Sequence, residues 1–224
     1  MISSQILVPT KDDIFSDIGA NIGVYTILAA KNVGAKVISI EPVPSTSNHL
    51  CNNIFLNKVT HIVTTLQIGV GNENIVLGFT NTMDSINHVV KDYKGQQQEG
   101  VIEIPVKIID EVFEDLIPVI MKMDIEGYEW PALNGAKKVL ASDHLKAIII
   151  ELNGCGNSFG FSDVNTHNML LSYKFKPYYY DPFKRSFTVL THFGNHNTIY
   201  IKDIEWAKQR VSEAKKYKIL GQLI

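Results

Sequence analysis

The chain has 224 residues, 45% of them hydrophobic and 20% charged, with a formal net charge of −2. That length and balance suit a single soluble globular domain with a full core. Near-neutral charge argues against a nucleic-acid partner, and the absence of any apolar run near ~20 residues argues against a membrane span. The start, Met1-Ile-Ser-Ser-Gln-Ile-Leu-Val-Pro9, lacks the basic residues and long apolar segment of a signal peptide. Its two cysteines, Cys51 and Cys155, form neither a disulfide framework nor a metal motif, which fits a reduced, cytoplasmic setting.

Residues 1–13 read as a lead-in to one domain covering 1–224. An apolar run at Ile14 and Phe15 leads into Asp17-Ile-Gly-Ala-Asn-Ile-Gly23, and a helix reads from Val24 to Lys31. Strand, glycine-bearing turn and helix together can bring backbone N–H groups to a ligand. Gly19 and Gly23 would let the chain turn tightly and approach that ligand without a Cβ in the way, with Asp17 at the mouth of the site. The bland alternative is a turn that needs its glycines and binds nothing. Val37-Ile-Ser-Ile-Glu41 reads as a buried parallel strand that Pro42 and Pro44 end. Ser45 or Ser47 would cap the next helix, which runs to Asn57 and buries Leu50, Ile54 and Phe55. Ile62 to Ile68 is the third strand. This alternation predicts right-handed βαβ units and a mostly parallel sheet with helices on both faces.

Ile75-Val-Leu77 reads as a strand close to the preceding one. Residues 81–100 are polar, an exposed loop or a lid over the site. Val101 to Val106 reads as an edge strand, because Pro105 cannot donate to a ladder. A short helix, Ile109 to Leu116, precedes a fourth core strand, Val119-Ile-Met-Lys-Met-Asp-Ile125. A helix from Tyr128 to Ala141, with Trp130, Leu133, Ala136 and Leu140 on one face, leads to a fifth strand, Ala147-Ile-Ile-Ile-Glu-Leu152. Val164 to Tyr173 is helical. Three closely spaced strands follow, at least partly antiparallel, and a charged amphipathic helix spans residues 204–220.

Four of the five core strands end in an acid: Asp17, Glu41, Asp124 and Glu151. Strand carboxyl ends share one rim in such sheets, where ligands bind. Singly, each acid could be a helix cap or a surface charge. Crowded together they call for a cation, a hydroxyl-rich ligand or a shared proton. Glu41 lies 18 residues after Gly23, near the spacing at which an acid meets a ribose diol. Lys122 shares a strand face with Asp124 and needs a carboxylate if buried, with Asp124 or Glu151 as the candidates. The result is a structural ion pair or a catalytic assembly.

A dinucleotide site would prefer G-x-G-x-x-G. Here position 21 is Asn21, which would obstruct a pyrophosphate, and Asp17 would repel one. Both features suit a cofactor with no phosphate, a free amine and a positive centre, namely S-adenosylmethionine.

The chain resembles the FkbM-type S-adenosylmethionine-dependent methyltransferases. The matching residues are Asp17-Ile-Gly-Ala-Asn-Ile-Gly-Val-Tyr25, Ile40-Glu-Pro-Val-Pro44 with Asn57, and Ile108-Ile-Asp110. They continue through Met121-Lys-Met-Asp-Ile-Glu-Gly-Tyr-Glu129, Ile149-Ile-Glu151 and Asn197-Thr-Ile-Tyr-Ile201, while the region before the first strand is short for the family. The resemblance implies a seven-stranded class I methyltransferase fold with an antiparallel C-terminal strand, and usually O-methylation of a sugar or natural-product hydroxyl. Asp17, Gly19, Asn21, Gly23 and Glu41 are then the expected cofactor residues. Asp124 is the expected base or orienter, tuned by Lys122, with Glu126 and Glu151 shaping the acceptor pocket. In a metal-assisted variant Asp124, Glu126 or Glu151 would hold Mg²⁺. The expected partner is a small-molecule or glycan hydroxyl acceptor. The alternatives are a non-catalytic S-adenosylmethionine-binding module and, disfavoured by Asn21, an NAD-dependent oxidoreductase. His192 and His196 suggest a metal pair without an evident third ligand, and a strand-end turn explains them better. His88 and His167 could reach the site from loops, and Tyr178-Tyr-Tyr180 could stack on a sugar or simply pack.

Overall fold

The computed structural model describes residues 9–81, 87–91, 93, 95, 98–194, 197–214, 218–219 and 222–223. Its centre is an eight-stranded sheet. In chain order these strands are β1 (Ile14–Ile18), β2 (Lys36–Ile40), β3 (Val63–Leu66), β7 (Ile120–Met123), β8 (Ala147–Glu151), β9 (Lys176–Asp181), β10 (Ser186–Val189) and β11 (Asn197–Ile201). The spatial order is β10-β9-β11-β8-β7-β1-β2-β3. Pairings among β3, β2, β1, β7 and β8 are parallel, and those of β8 with β11, β11 with β9 and β9 with β10 are antiparallel. The expected class I methyltransferase layout is therefore present, with β10 as an added edge strand.

Alternation along the buried strands decides how helices cover the sheet. Met121, Ile148 and Ile150 face Leu133, Leu140 and Leu170 of α4 (Glu129–Asn134), α5 (Lys137–Ala141) and α6 (Asp163–Ser172). Ile120 and Ile149 face the other way, toward Leu50 and Ile54 of α2 (Pro44–Leu56) and Ala207 and Val211 of α7 (Ile204–Glu213). Ala29 lies on this second face, in a π-helical stretch (Leu28–Val33) that continues α1 (Val24–Ile27).

A second, three-stranded sheet joins β4 (Gly69–Gly71), β6 (Val101–Ile108) and β5 (Ile75–Thr80), with β6 in the middle. Here the edge-strand expectation fails. Pro105 stands opposite Val76 of β5, and the register with β4 begins only at Val106. At Pro105 the sheet is two strands wide, so the missing N–H faces no ladder on the β4 side. Ile75–Leu77 belongs to this sheet and not beside β3. Short helix α3 (Ile109–Val112) follows β6.

Three helix expectations also change. α2 begins at Pro44, whose fixed φ suits a first helical turn, and neither Ser45 nor Ser47 caps it; Phe55 points outward, 72% exposed. The helix expected from Tyr128 to Ala141 is two helices. The break lies at Gly135, where a Cβ would run into the carbonyl of Gly71. The last helix ends at Glu213, short of 220, and Lys218–Ile219 pairs with Gln222–Leu223 instead. Among the described residues no helix is long and apolar enough to cross a membrane.

Candidate functional site

The chain leaves β1 outward through β2 and β3, then returns to place β7 on the other side of β1. The loops after β1 and β7 therefore diverge, opening a crevice at the strands' carboxyl ends. A cavity of about 350 Å³ sits there. One wall carries Gly19, Asn21, Glu41, Lys122, Asp124 and Glu126. Val70, Phe79 and Val89 supply an apolar wall from the small sheet and the segment that pairs with it. Val89 bridges to Phe79 and is 6% exposed, and with Asn87 it brings part of the 81–100 segment into the cavity lining; residues 82–86, 92, 94, 96 and 97 lie outside the described ones.

Asp17 is not at the mouth. It lies one residue inside β1, fully buried, and its Oδ2 accepts hydrogen bonds from Thr26 N at 2.9 Å and Thr26 Oγ1 at 2.7 Å. Ser39 Oγ closes this network 2.7 Å from Thr26 Oγ1. Lys122 Nζ stands 3.4 Å from Asp17 Oδ1 and 3.7 Å from Asp124 Oδ2, and donates to the Gly19 carbonyl at 2.6 Å. Lys122 is 3% exposed, so this buried ammonium is met by two carboxylates and a carbonyl. Of the two expected partners Asp124 stands beside Lys122, and Asp17, which was not among them, is the nearer carboxylate. Glu151 ends β8, half-buried and outside the cavity wall, although its charge is felt by Glu126 and Tyr25.

Gly19 and Gly23 take the left-handed conformations a tight turn needs, and they also serve close packing. A Cβ on Gly19 would overlap the Asp124 carbonyl, and one on Gly23 would lie 2.5 Å from Leu50 Cδ1. They let the two turns and α2 close on one another. The first turn does not offer its donors outward. Gly19 N and Ala20 N both donate to the Ile40 carbonyl, and Asn21 N donates to Glu41 Oε2. Ile22 N donates to Asn21 Oδ1, and Gly23 N to the Ala20 carbonyl. Asn21 itself, at φ 51, adopts the left-handed conformation that Asn tolerates.

Glu41 follows β2 and is 6% exposed, its two oxygens taking the N–H groups of Asn21 and Val43. Burial raises its pKa against the pull of those donors. Glu126, at φ 53, is raised by burial and then by Asp124 and Glu151, while His88 and Lys122 oppose the shift. His88 therefore lies near enough for its charge to reach Glu126. His167 does not: it sits on α6 with Nδ1 2.7 Å from Tyr200 Oη, and burial lowers its pKa. His192 packs on His167 and Phe193, and His196 lies outside the described residues. Tyr178 and Tyr180 pack on Phe187 and Tyr179 points to solvent, which is the packing alternative.

Among the cavity residues that the sequence did not single out are two tyrosines. Tyr25 lies with its ring 5.4 Å from Lys122 Nζ, and burial, then Asp17, Asp124 and Glu151, push its hydroxyl up to about 12. Its place two residues after Gly23 was the available signal. Tyr128 backs the second turn and meets Phe159 and Phe161 edge-on, at 5.9 and 6.1 Å. Among the described residues no group of three or more His, Cys, Asp or Glu is arranged to hold a metal.

Comparison with known proteins adds to this geometry. The family model described as "Methyltransferase FkbM domain" matches residues 17–177. The hexuronic acid methyltransferase AglP of Haloferax volcanii is 27% identical over 146 residues, 64% of this chain and 57% of that protein. The match thus spans little more than half of that relative's length. Precorrin-6y C5,15-methyltransferase from Geobacter metallireducens GS-15 superposes with a TM-score of 0.49 at 13% identity, covering 89% of this chain and 83% of its own. TrmK of M. capricolum, in complex with S-adenosyl-homocysteine, gives 0.47 at 11% identity, covering 90% and 66%.

Proposed function

The chain belongs to the FkbM methyltransferase family, and from that premise we propose that it moves the methyl group of S-adenosylmethionine to a hydroxyl oxygen of a sugar or similar small natural product. The observation that carries the cofactor assignment is the first turn, whose backbone donors from Gly19 to Gly23 are all taken within the chain. A pyrophosphate would need those donors. A nucleoside without phosphate does not, and Glu41 retains lone pairs for a ribose diol after receiving Asn21 and Val43. The acidic wall favours a positive centre, and Val70, Phe79 and Val89 offer an apolar surface for a flat heterocycle.

When bound, S-adenosylmethionine supplies an electrophilic methyl group on a sulfonium. The chain's own part is to align and deprotonate the acceptor. Asp124, its side chain 30% exposed on the cavity wall, accepts the hydroxyl proton at Oδ2 or Oδ1. Lys122 fixes that carboxylate relative to the first turn, acting as a positioning residue. Glu126, two residues further along the same turn, shapes the acceptor side; Glu151 contributes through its charge. Support for a carbohydrate acceptor comes from the similarity to a hexuronic acid methyltransferase.

The test is transfer of labelled methyl from S-adenosylmethionine across glycans, lipids and small hydroxylated metabolites, with calorimetry against NAD alongside. The expected result is a methyl ether and no NAD binding. Tight cofactor binding without turnover on any compound would instead identify a binding module. Turnover that dies on chelation and returns with Mg²⁺ would move the proton-acceptor role from Asp124 to a metal-bound arrangement.

A further inference from the structure

Glu129 opens α4 behind the second turn, 6% exposed and outside the cavity wall. A carboxylate so buried is costly unless hydrogen-bonded. Its Oε1 accepts the N–H of Ile125 at 3.1 Å and of Gly127 at 3.3 Å. Between those two donors lies Glu126 in the left-handed region, followed by Gly127 at φ 97. A Cβ on Gly127 would come within 2.7–2.8 Å of the Cys155 and Gly156 backbone, so the turn is also held from its far side. A left-handed non-glycine residue persists only where its surroundings enforce it. An acid that merely favoured a helix N-terminus would sit in solvent and would not span two donors of the preceding turn.

We propose that Glu129 is a positioning residue for methyl transfer, gripping the N–H groups on either side of Glu126 and so aiming Asp124 and Glu126 into the cavity. This rests on the reading above that Asp124, in the second turn, accepts the hydroxyl proton of the methyl acceptor. Burial, with the Asp124 charge added, pushes the Glu129 carboxyl up to about 7 against its backbone donors. Such an unfavourable site is retained because the turn needs an acceptor at that point.

Three variants separate the possibilities. Glu129→Gln keeps an oxygen at Oε1, Glu129→Asp withdraws it by one methylene, and Glu129→Ala removes it. Amide hydrogen exchange at Ile125 and Gly127 is followed by NMR, S-adenosylmethionine affinity by calorimetry, and single-turnover transfer on the compound that scores highest in the labelled-methyl panel. The Asp and Ala variants should exchange both amides about tenfold faster or more. They should bind S-adenosylmethionine within about threefold of wild type and transfer methyl roughly 10- to 100-fold more slowly. Glu129→Gln should stay near wild type in all three. Unchanged exchange in the Asp and Ala variants would overturn the brace, as would fast exchange with an unaltered transfer rate, or a Gln variant as impaired as Ala. Full transfer by Asp124→Asn would sink the base assignment separately, because the exchange data do not depend on it.

Discussion

The two turns that face each other across the crevice are built from the same parts, acid, glycine and helix entry, yet they do different work. In the first, Asp17 lies within β1, opposite Lys122 in the register, and is sealed by Thr26 and Lys122. In the second, Asp124 lies one residue beyond β7 and reaches the cavity. A two-residue difference in position relative to the strand end turns one carboxylate into a core constituent and leaves the other on the cavity wall. Each turn also spends its donors differently: the first on the β2 end, the second on Glu129.

The largest effect expected from breaking this contrast is at the residue that joins the turns. Lys122→Met strands Asp17 as a buried charge and should cost about 3–5 kcal/mol in denaturant unfolding, with loss of turnover. Adding Asp17→Asn should recover part of the stability but not the activity. Next comes Asp124→Asn, expected to slow single-turnover methyl transfer roughly 10²- to 10⁴-fold while moving the denaturation midpoint little. Equal destabilisation by the two single variants would erase the distinction between the turns. Glu41→Gln, at the end of β2, should weaken S-adenosylmethionine binding about 10- to 100-fold in calorimetry, the worth of a hydrogen bond to a charged group.

The smallest effect concerns pH. Glu129 has a folded pKa raised from 4.5 to about 7, so the folded chain keeps a proton that the unfolded chain releases. That contribution is full below about 4.5 and is lost as pH rises through about 7. Wild type should therefore fall behind Glu129→Gln between pH 5 and pH 8, by about 2–4 °C in Tm for each kcal/mol. A gap that stayed constant with pH would show that Glu129 does not titrate in that window.

Much of this architecture could be read in the chain. The apolar runs at β1, β2, β7 and β8 announced buried parallel strands, because strands covered on both faces need no polar alternation. The helices between them followed from spacing, and acids within one residue of four strand ends, Asp17, Glu41, Asp124 and Glu151, stood out where the apolar runs stop. Where the reading failed, the deciding contact was distant in sequence. Gly135 breaks a helix because Gly71 approaches it, and Pro105 is tolerated because β4 starts one residue too late to pair with it.

The sequence alone determined the fold class, the turn motifs and the set of acids, since these depend on periodicity and local conformation. Only the tertiary structure decided which acid is buried and which is presented. It alone showed that the first turn's glycines serve close packing and that its donors are already taken. Tyr25, Val89 and Tyr128 entered the site the same way, from separate segments brought to one crevice. Local pattern fixes what each segment can form; burial and hydrogen-bond partners, set by distant segments, fix what each carboxylate is free to do.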